Sequence, residues 1–254
     1  LVLYSILILR EAYVVFFLLL ALYGVVSWTK TGSVKSIILA MIGFFGATFF
    51  HGATFVGGLT FLAFVLISII RRFYKSFKNF RINFKSLILF VSIIGLGFYI
   101  SNNVYIPYLE TFDYATDIKV LLKKTQINTK GGASWPEWTI ISSTEEIFYK
   151  LPFRSIYFIF APFPWQVSEI KHLVGMFDSF IFIYLTFLIF KNKKNIWKDP
   201  ALRIFLIILI SYIFVFGIGV GNFGTGIRHR SKFAVLFILL AAPLLKKLIF
   251  NKKN

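Results

Sequence analysis

The sequence predicts an all-α protein, a polytopic bundle of transmembrane helices, from its composition and from the length of its apolar runs. Of its 254 residues, 58% are hydrophobic and only 15% are charged, whereas soluble domains carry about 25% charged residues. Several apolar runs reach the roughly 17–25 residues that a helix needs to cross the hydrocarbon core of a bilayer. We therefore expect a single transmembrane domain over residues 1–254, with about seven spans in this chain.

The spans follow from the apolar runs in chain order. Residues 12–28 form the first, whereas residues 36–70 are about twice as long as one span requires. A single helix over that run would be roughly 52 Å long against a core of ~30 Å. Because the run also contains five glycines and has His51 near its middle, we expect two helices that meet near His51. Further spans are predicted at residues 86–101, 172–190, 204–221 and 233–245.

Two segments are expected to lie outside the full spans. Residues 151–165 are too short to cross a bilayer and contain three prolines, which indicates a re-entrant or interfacial segment. Residues 102–150 are polar and contain six of the ten acidic residues, so they predict one outer loop of about 50 residues. Short amphipathic helices are predicted within it at residues 118–124 and 142–149. The chain begins without Met inside an apolar run, which indicates that earlier spans have been removed.

The distribution of basic residues predicts the orientation of the bundle. The net charge is +18, and basic residues concentrate at 71–85, 191–203 and 246–253. Such clusters flank spans on the cytoplasmic side, so membrane topology accounts for the positive charge. We therefore expect no nucleic-acid partner. Counting spans from these clusters places His51, the loop 102–150 and the segment 221–233 on the outer side.

The segment "GNFGTGIRHRSKF", residues 221–233, is the strongest indication of a functional site. Arg228, His229, Arg230 and Lys232 crowd into five positions on the side where basic residues are disfavoured. Arginine binds phosphate in a bidentate manner, so the cluster predicts a site for a lipid pyrophosphate. The alternative is a contact with lipid phosphates at the interface. Residues two apart on a helix point about 200° from each other, so Arg228 and Arg230 reach one ligand only if residues 224–230 are non-helical or the ligand sits over the helix end.

Other polar residues are predicted to join this site from the same side. Arg10 and Arg154 would add cations that bind the pyrophosphate. Glu11, His51 and His229 are candidates for a catalytic base. Glu11 could instead form an ion pair with Arg10, and His51 could simply pack in the hairpin. No cofactor and no metal are expected, because the acidic residues are dispersed and neither a His-x-x-x-His pair nor a Walker loop occurs.

Three motifs give the chain a resemblance to a known family. "ILREAYVVFFLLLALYGV" at residues 8–25, followed by "ILAMIGFFGATFFHGATFV" at residues 38–56, resembles the bacterial O-antigen and exopolysaccharide polymerases. Their pattern is an Arg-Gln or Arg-Glu pair that opens a span, then a small-residue-rich helix that ends in one His. The segment 221–233 is similar to their Arg-rich outer segment, and "FAPFPW" at residues 160–165 adds a weaker match. Many relatives have Gln at the position of Glu11, which weakens a catalytic role for this residue.

The resemblance implies a metal-independent, multi-pass glycosyltransferase of the bacterial inner membrane. It would polymerise undecaprenyl-diphosphate-linked oligosaccharides at the outer face, among membrane lipids and with other polysaccharide-assembly proteins as further partners. An O-antigen ligase is the nearest alternative, since it uses the same donor. A translocator of lipid-linked sugars and a non-enzymatic membrane subunit are alternatives of another class. A translocator predicts charges within several spans, whereas Asp178 is the only acid clearly inside one.

Overall fold

The computed structural model describes residues 2–78 and 132–250, together with residues 88, 91, 92, 95 and 99. Within these residues the protein is all-α, and the strand-like pairing is a single bridge between Ser134 and Asn222. The predicted span 86–101 and most of the predicted outer loop 102–150, including the helix predicted at 118–124, lie outside the described residues. The five isolated positions between 88 and 99 are helical.

The first two helices form a hairpin, and the third follows the second after a short break. Helix α1 spans Val2–Thr31, α2 spans Val34–Phe50 and α3 spans Phe55–Lys78. The α1–α2 turn passes through Gly32 at a φ of +64°, a backbone conformation that glycine adopts without steric cost. At His51 the backbone is extended, and a 3-10 turn over Gly52–Thr54 leads into α3. The predicted pair of helices that meet near His51 is therefore confirmed.

Close packing of α1 on α2 depends on a glycine. A Cβ atom added to Gly43 would collide with the main chain of Ala21. Small residues at such contacts let two helix backbones approach, which strengthens packing where the surrounding lipid is as apolar as the side chains. The two helices of the α1–α2 hairpin are therefore closely packed, and the end of α2 lies beside Arg10 and Glu11 of α1.

The second half of the described chain contains six helices: α4 Thr144–Phe160, α5 Ile170–Lys191, α6 Lys193–Lys198, α7 Pro200–Gly219, α8 Phe223–Arg230 and α9 Ala234–Phe250. The segment boundary predicted near residue 150 is wrong, because most of the predicted amphipathic helix 142–149 and of the segment 151–165 forms one helix, α4, which ends at Phe160. Pro152 lies inside this helix. Arg154, Ser155 and Phe158 form its buried face, so packing outweighs the proline's tendency to end a helix.

Helix α7 is the centre of the bundle. It packs against α1, α3, α4, α6 and α9, and it buries a continuous row of apolar and aromatic side chains. This row consists of Ile204, Phe205, Ile208, Leu209, Tyr212 and Phe216. Helix α7 contacts both halves of the described chain. Its end at Gly219 therefore lies near the place where α2, α8 and the start of α1 meet.

The outer surface of the bundle is that of a membrane protein. Large apolar side chains such as Phe16, Ile42 and Phe177 are exposed by 59%, 53% and 66%, which a water-soluble monomer rarely tolerates over so much surface. Four stretches of the described residues are long and apolar enough to cross a membrane: Arg10–Thr31, Gly52–Tyr74, His172–Lys191 and Pro200–Gly219. This is fewer than the seven spans predicted. The sequence count also included the shorter helix α2, the C-terminal helix α9 and residues 86–101.

Candidate functional site

Six of the eight predicted site residues meet at one end of the bundle. Arg10 and Glu11 come from α1 and His51 from the break between α2 and α3, while the remaining three come from α8 and the turn after it. The six are Arg10, Glu11, His51, Arg228, His229 and Lys232, and we call them the polar cluster. Residues separated by more than two hundred positions are thus connected directly, since Glu11 contacts Arg228.

Glu11 is the carboxylate around which the polar cluster is arranged. Its Oε1 accepts a hydrogen bond from Arg228 Nε at 3.1 Å, and its Oε2 lies 3.1 Å from Lys232 Nζ. The second contact is an ion pair without hydrogen-bond geometry. Glu11 therefore pairs with Arg228 and Lys232 rather than with Arg10. Glu11 is therefore suited to hold these two basic side chains in position.

The two histidines of the polar cluster are in contact with each other. Their ring centroids lie 4.9 Å apart with the planes nearly perpendicular. Phe216 packs against both, at 5.2 Å from His51 and 5.1 Å from His229. Lys232 Nζ lies 2.9 Å from Nδ1 of His229. When Lys232 carries its extra proton, its ammonium donates this hydrogen bond, so Nδ1 accepts it and the proton of a neutral His229 resides on Nε2.

Burial and nearby cations keep these histidines neutral. Burial, followed by the charge on Arg10, lowers the pKa of His51 to about 4. Burial, followed by His51 and Arg228, lowers the pKa of His229 to about 3. Burial, followed by the charge on Arg10, likewise lowers the pKa of Lys232 to about 7. Near neutral pH the cluster therefore contains two uncharged imidazoles. The accepting nitrogen of His229 is engaged by Lys232, whereas Nδ1 of His51 has no hydrogen-bond partner among the described residues.

Arg10 and Arg228 are each anchored through Nε, and their terminal nitrogens have no acceptor among the described residues. Arg10 is held through Nε by the carbonyl oxygen of Phe50 at 2.5 Å, and Arg228 is held through Nε by Glu11. Among the described residues, none accepts a hydrogen bond from the terminal nitrogens of either guanidinium. The side chain of Arg228 is also 42% exposed. Two fixed guanidinium groups beside two neutral histidines form a site that favours an anionic ligand.

Arg230 lies apart from this cluster, in the protein interior. Residues Phe223–Arg230 are helical, with Asn222 as the N-cap, so Arg228 and Arg230 point to opposite faces. The guanidinium of Arg230 donates to Asp178 at 2.7 Å and to the carbonyl oxygens of Ile159 and Ala161 at 2.6 and 2.7 Å. Its side chain is 1% exposed. The irregular segment that would let both arginines reach one ligand does not form, and Arg230 has the geometry of a structural residue.

Arg154 is also engaged inside the fold. Four of its hydrogen bonds go to main-chain carbonyl oxygens, those of Gly217, Ile218 and Val220 at the end of α7 and that of Thr139. The last carbonyls of a helix lack partners within the helix and carry partial negative charge. Arg154 therefore caps α7, and its predicted contact with a pyrophosphate has no support from this arrangement.

Sequence reasoning missed the groups that hold the site together. The carbonyl of Phe50 fixes Arg10, and the ring of Phe216 supports both histidines. A carbonyl carries no sequence signal, and Phe216 is one of 33 phenylalanines. Asp178 did have a signal, since it is an acid within an apolar span, and its ion pair with Arg230 explains its presence there.

No family model matches the chain, and neither a curated protein nor a solved structure matches it. The interpretation of the polar cluster therefore depends on its own geometry and chemistry.

Proposed function

We propose that the protein is a glycosyltransferase that polymerises lipid-linked oligosaccharides, with a polyprenyl diphosphate as the leaving group, at the outer face of a bacterial inner membrane. The observation that supports this function is the pair of anchored guanidinium groups of Arg10 and Arg228 beside the neutral imidazoles of His51 and His229. A diphosphate matches the two cations, and a sugar hydroxyl needs an unprotonated base. The polar cluster provides both kinds of group in one place.

The reaction would be a displacement at the anomeric carbon of the donor sugar. A hydroxyl oxygen of the acceptor glycan forms a bond to this carbon, and the bond between the carbon and the diphosphate oxygen breaks. Its electron pair goes to the diphosphate, where negative charge develops. Arg10 and Arg228 would stabilise that charge, because fixed donors in a partly buried site act more strongly than they would in water.

The proton of the acceptor hydroxyl would go to a histidine. His51 is the better candidate, because its Nδ1 is buried without a hydrogen-bond partner among the described residues, whereas Nδ1 of His229 is engaged by Lys232. The charges on Arg10 and Arg228 contribute to the low pKa of His51. A bound diphosphate would offset both charges, which raises that pKa. Binding of the donor would therefore make the base more effective.

The test compares single variants in cells that lack the chromosomal copy of the gene. Arg10→Gln and Arg228→Gln should each shorten the surface polysaccharide by about tenfold or more, since a charge-assisted contact contributes roughly 1.5–3 kcal/mol. Arg10→Lys and Arg228→Lys should restore function only partly, because an ammonium does not reproduce the guanidinium fork. His51→Ala should also stop chain extension. Polymer length is measured on gels, at protein levels matched by immunoblot.

Lys193→Gln provides the control, because it removes a basic charge at the opposite end of the bundle. Normal polymer ladders from both the Arg10→Gln and Arg228→Gln variants would contradict the proposed function. Loss of transfer to the lipid A core with normal polymer length would assign the site to a ligase instead.

A further inference from the structure

A cavity lies at the end of the bundle opposite the polar cluster. Its volume is about 960 Å³, within the range of cavities that bind small molecules. Three parts of the chain form its walls. These are the end of α1 with the turn at Trp28–Gly32, the last turns of α3 from Phe64 to Tyr74, and the start of α7 with Trp197. Many of these residues are exposed, so the cavity is open to the surroundings.

The cavity is lined by both cations and apolar side chains. The cations are Lys30, Arg71, Arg72 and Arg203, and no acidic residue contributes to the lining. Phe64, Ile67, Ile204 and Ile207 line the apolar part. The nearby carboxylate of Asp199 accepts hydrogen bonds from the main-chain nitrogens of Ala201 and Leu202 as the cap of α7. The cavity therefore favours an amphiphile with an anionic head.

The four cations are free to bind such a head. Within the described residues, no side-chain hydrogen bond or ion pair involves any of them. Basic residues at helix ends often extend into water, but Arg72 is directed back across the cavity. Its Nη2 would lie 3.4 Å from a Cβ atom added to Gly32 in the α1–α2 turn. Arg71 and Arg72 from α3 and Arg203 from α7 thus converge from two helices that are far apart in sequence.

We infer that this cavity binds the phosphodiester head of an anionic phospholipid. The arginines Arg71, Arg72 and Arg203 hold the phosphate, Lys30 adds to the local positive potential, and an acyl chain lies along Ile67 and Ile207. Basic pockets between membrane helices bind anionic lipid heads in this way, and each cation near the surface strengthens binding about fivefold. Trp28, Tyr74 and Trp197 occupy positions typical of aromatic residues at a membrane interface. The inference concerns a site separate from the polar cluster.

The experiment measures lipid retention by native mass spectrometry of the purified full chain in a neutral detergent. The chain is titrated with phosphatidylglycerol and, separately, with phosphatidylcholine of the same acyl chains. The unmodified protein should bind phosphatidylglycerol at least about tenfold more tightly. The double variant Arg71→Gln/Arg203→Gln should lose this preference, whereas Arg71→Lys/Arg203→Lys should keep most of it.

The matched control is Lys193→Gln/Lys194→Gln, which removes two charges at the same end of the bundle but outside the cavity lining. It should bind phosphatidylglycerol like the unmodified protein. Equal losses in the two glutamine variants would overturn the inference, because they would show only a general effect of surface charge. Displacement of the lipid by millimolar inorganic phosphate would also overturn it, since the ligand would then be a soluble phosphate compound.

Discussion

Replacing Arg230 by methionine is expected to destabilise the bundle, whereas the same change at Arg228 is expected to leave stability nearly intact. The two arginines are separated by one residue, but their surroundings are opposite. Arg230 is 1% exposed and pairs with Asp178, and Arg228 is 42% exposed and pairs with Glu11. Methionine has a similar length and is apolar, so the comparison isolates the loss of the guanidinium.

The magnitude follows from the contacts that Arg230 loses. Removing one partner of a buried ion pair costs about 3–5 kcal/mol, because the other partner is left unpaired. The side chain of Asp178 is 32% exposed, so water can partly replace the lost cation and the lower end of that range, about 3 kcal/mol, applies. For a chain of this size, that loss lowers Tm by about 6–12 °C. In the Arg228–Glu11 pair the arginine is partly exposed, and Glu11 keeps Lys232 as a partner when Arg228 is lost. The loss should therefore cost about 0–1 kcal/mol and lower Tm by about 4 °C or less.

The assay is thermal unfolding of the purified variants in one detergent at neutral pH. A double-mutant cycle with Asp178→Asn tests whether the loss comes from the pair itself, because the effect of Arg230→Met should be clearly smaller when Asp178 is already neutral. A Tm for Arg230→Met equal to that of the unmodified protein would refute the structural role. In that case Arg230 would again be a candidate for ligand binding.

The remaining predictions concern the histidine pair and the helix packing. Because the pKa values of His51 and His229 in the folded protein are lowered to about 4 and 3 from 6.5, the unfolded chain binds more protons between pH 6.5 and these values. Stability should therefore be full above pH 6.5 and fall by up to about 1.4 kcal/mol per pH unit for each histidine as the pH drops toward 4. Thermal unfolding between pH 7.5 and 4.5 measures this loss, and a His51→Gln/His229→Gln variant with an equally steep pH dependence would argue against it. In the same assay Gly43→Ala should lower Tm, because its Cβ atom would meet the main chain of Ala21, whereas Gly219→Ala, with no atom within 4 Å of its Cβ, should leave Tm nearly unchanged. Equal effects of the two alanine substitutions would contradict the packing argument.

The break at His51 was predictable from the length of the apolar run and from the glycines around its middle. Residues 36–70 are too long for one crossing of a bilayer, and the structure ends α2 at Phe50 and begins α3 at Phe55. The meeting of Arg10, His51 and Arg228 was also predictable, because helix counting places these helix ends on the same side. Both inferences depend on the fixed rise of an α-helix and the fixed thickness of a membrane, and these quantities hold for any sequence.

The start of α4 and the roles of individual arginines were not predictable in this way. Pro152 suggested a helix boundary, but burial of Arg154 and Phe158 keeps the helix continuous through it. Arg154 and Arg228 carry the same guanidinium and were predicted to lie on the same side. The first caps the end of α7, and the second remains partly exposed beside Glu11.

The sequence by itself determined that this protein is a bundle of membrane helices with a polar cluster at one end. It did so because apolar length and the positions of charged residues are properties of the chain. Only the tertiary structure decided which cations are free to bind a ligand. The phase of α8 turns Arg230 toward the carbonyl oxygens of Ile159 and Ala161 and toward Asp178, while it leaves Arg228 at the surface. Those partners come from distant parts of the sequence. Every residue has a carbonyl oxygen, so the sequence does not show which of them will accept from Arg230 until the helices have packed.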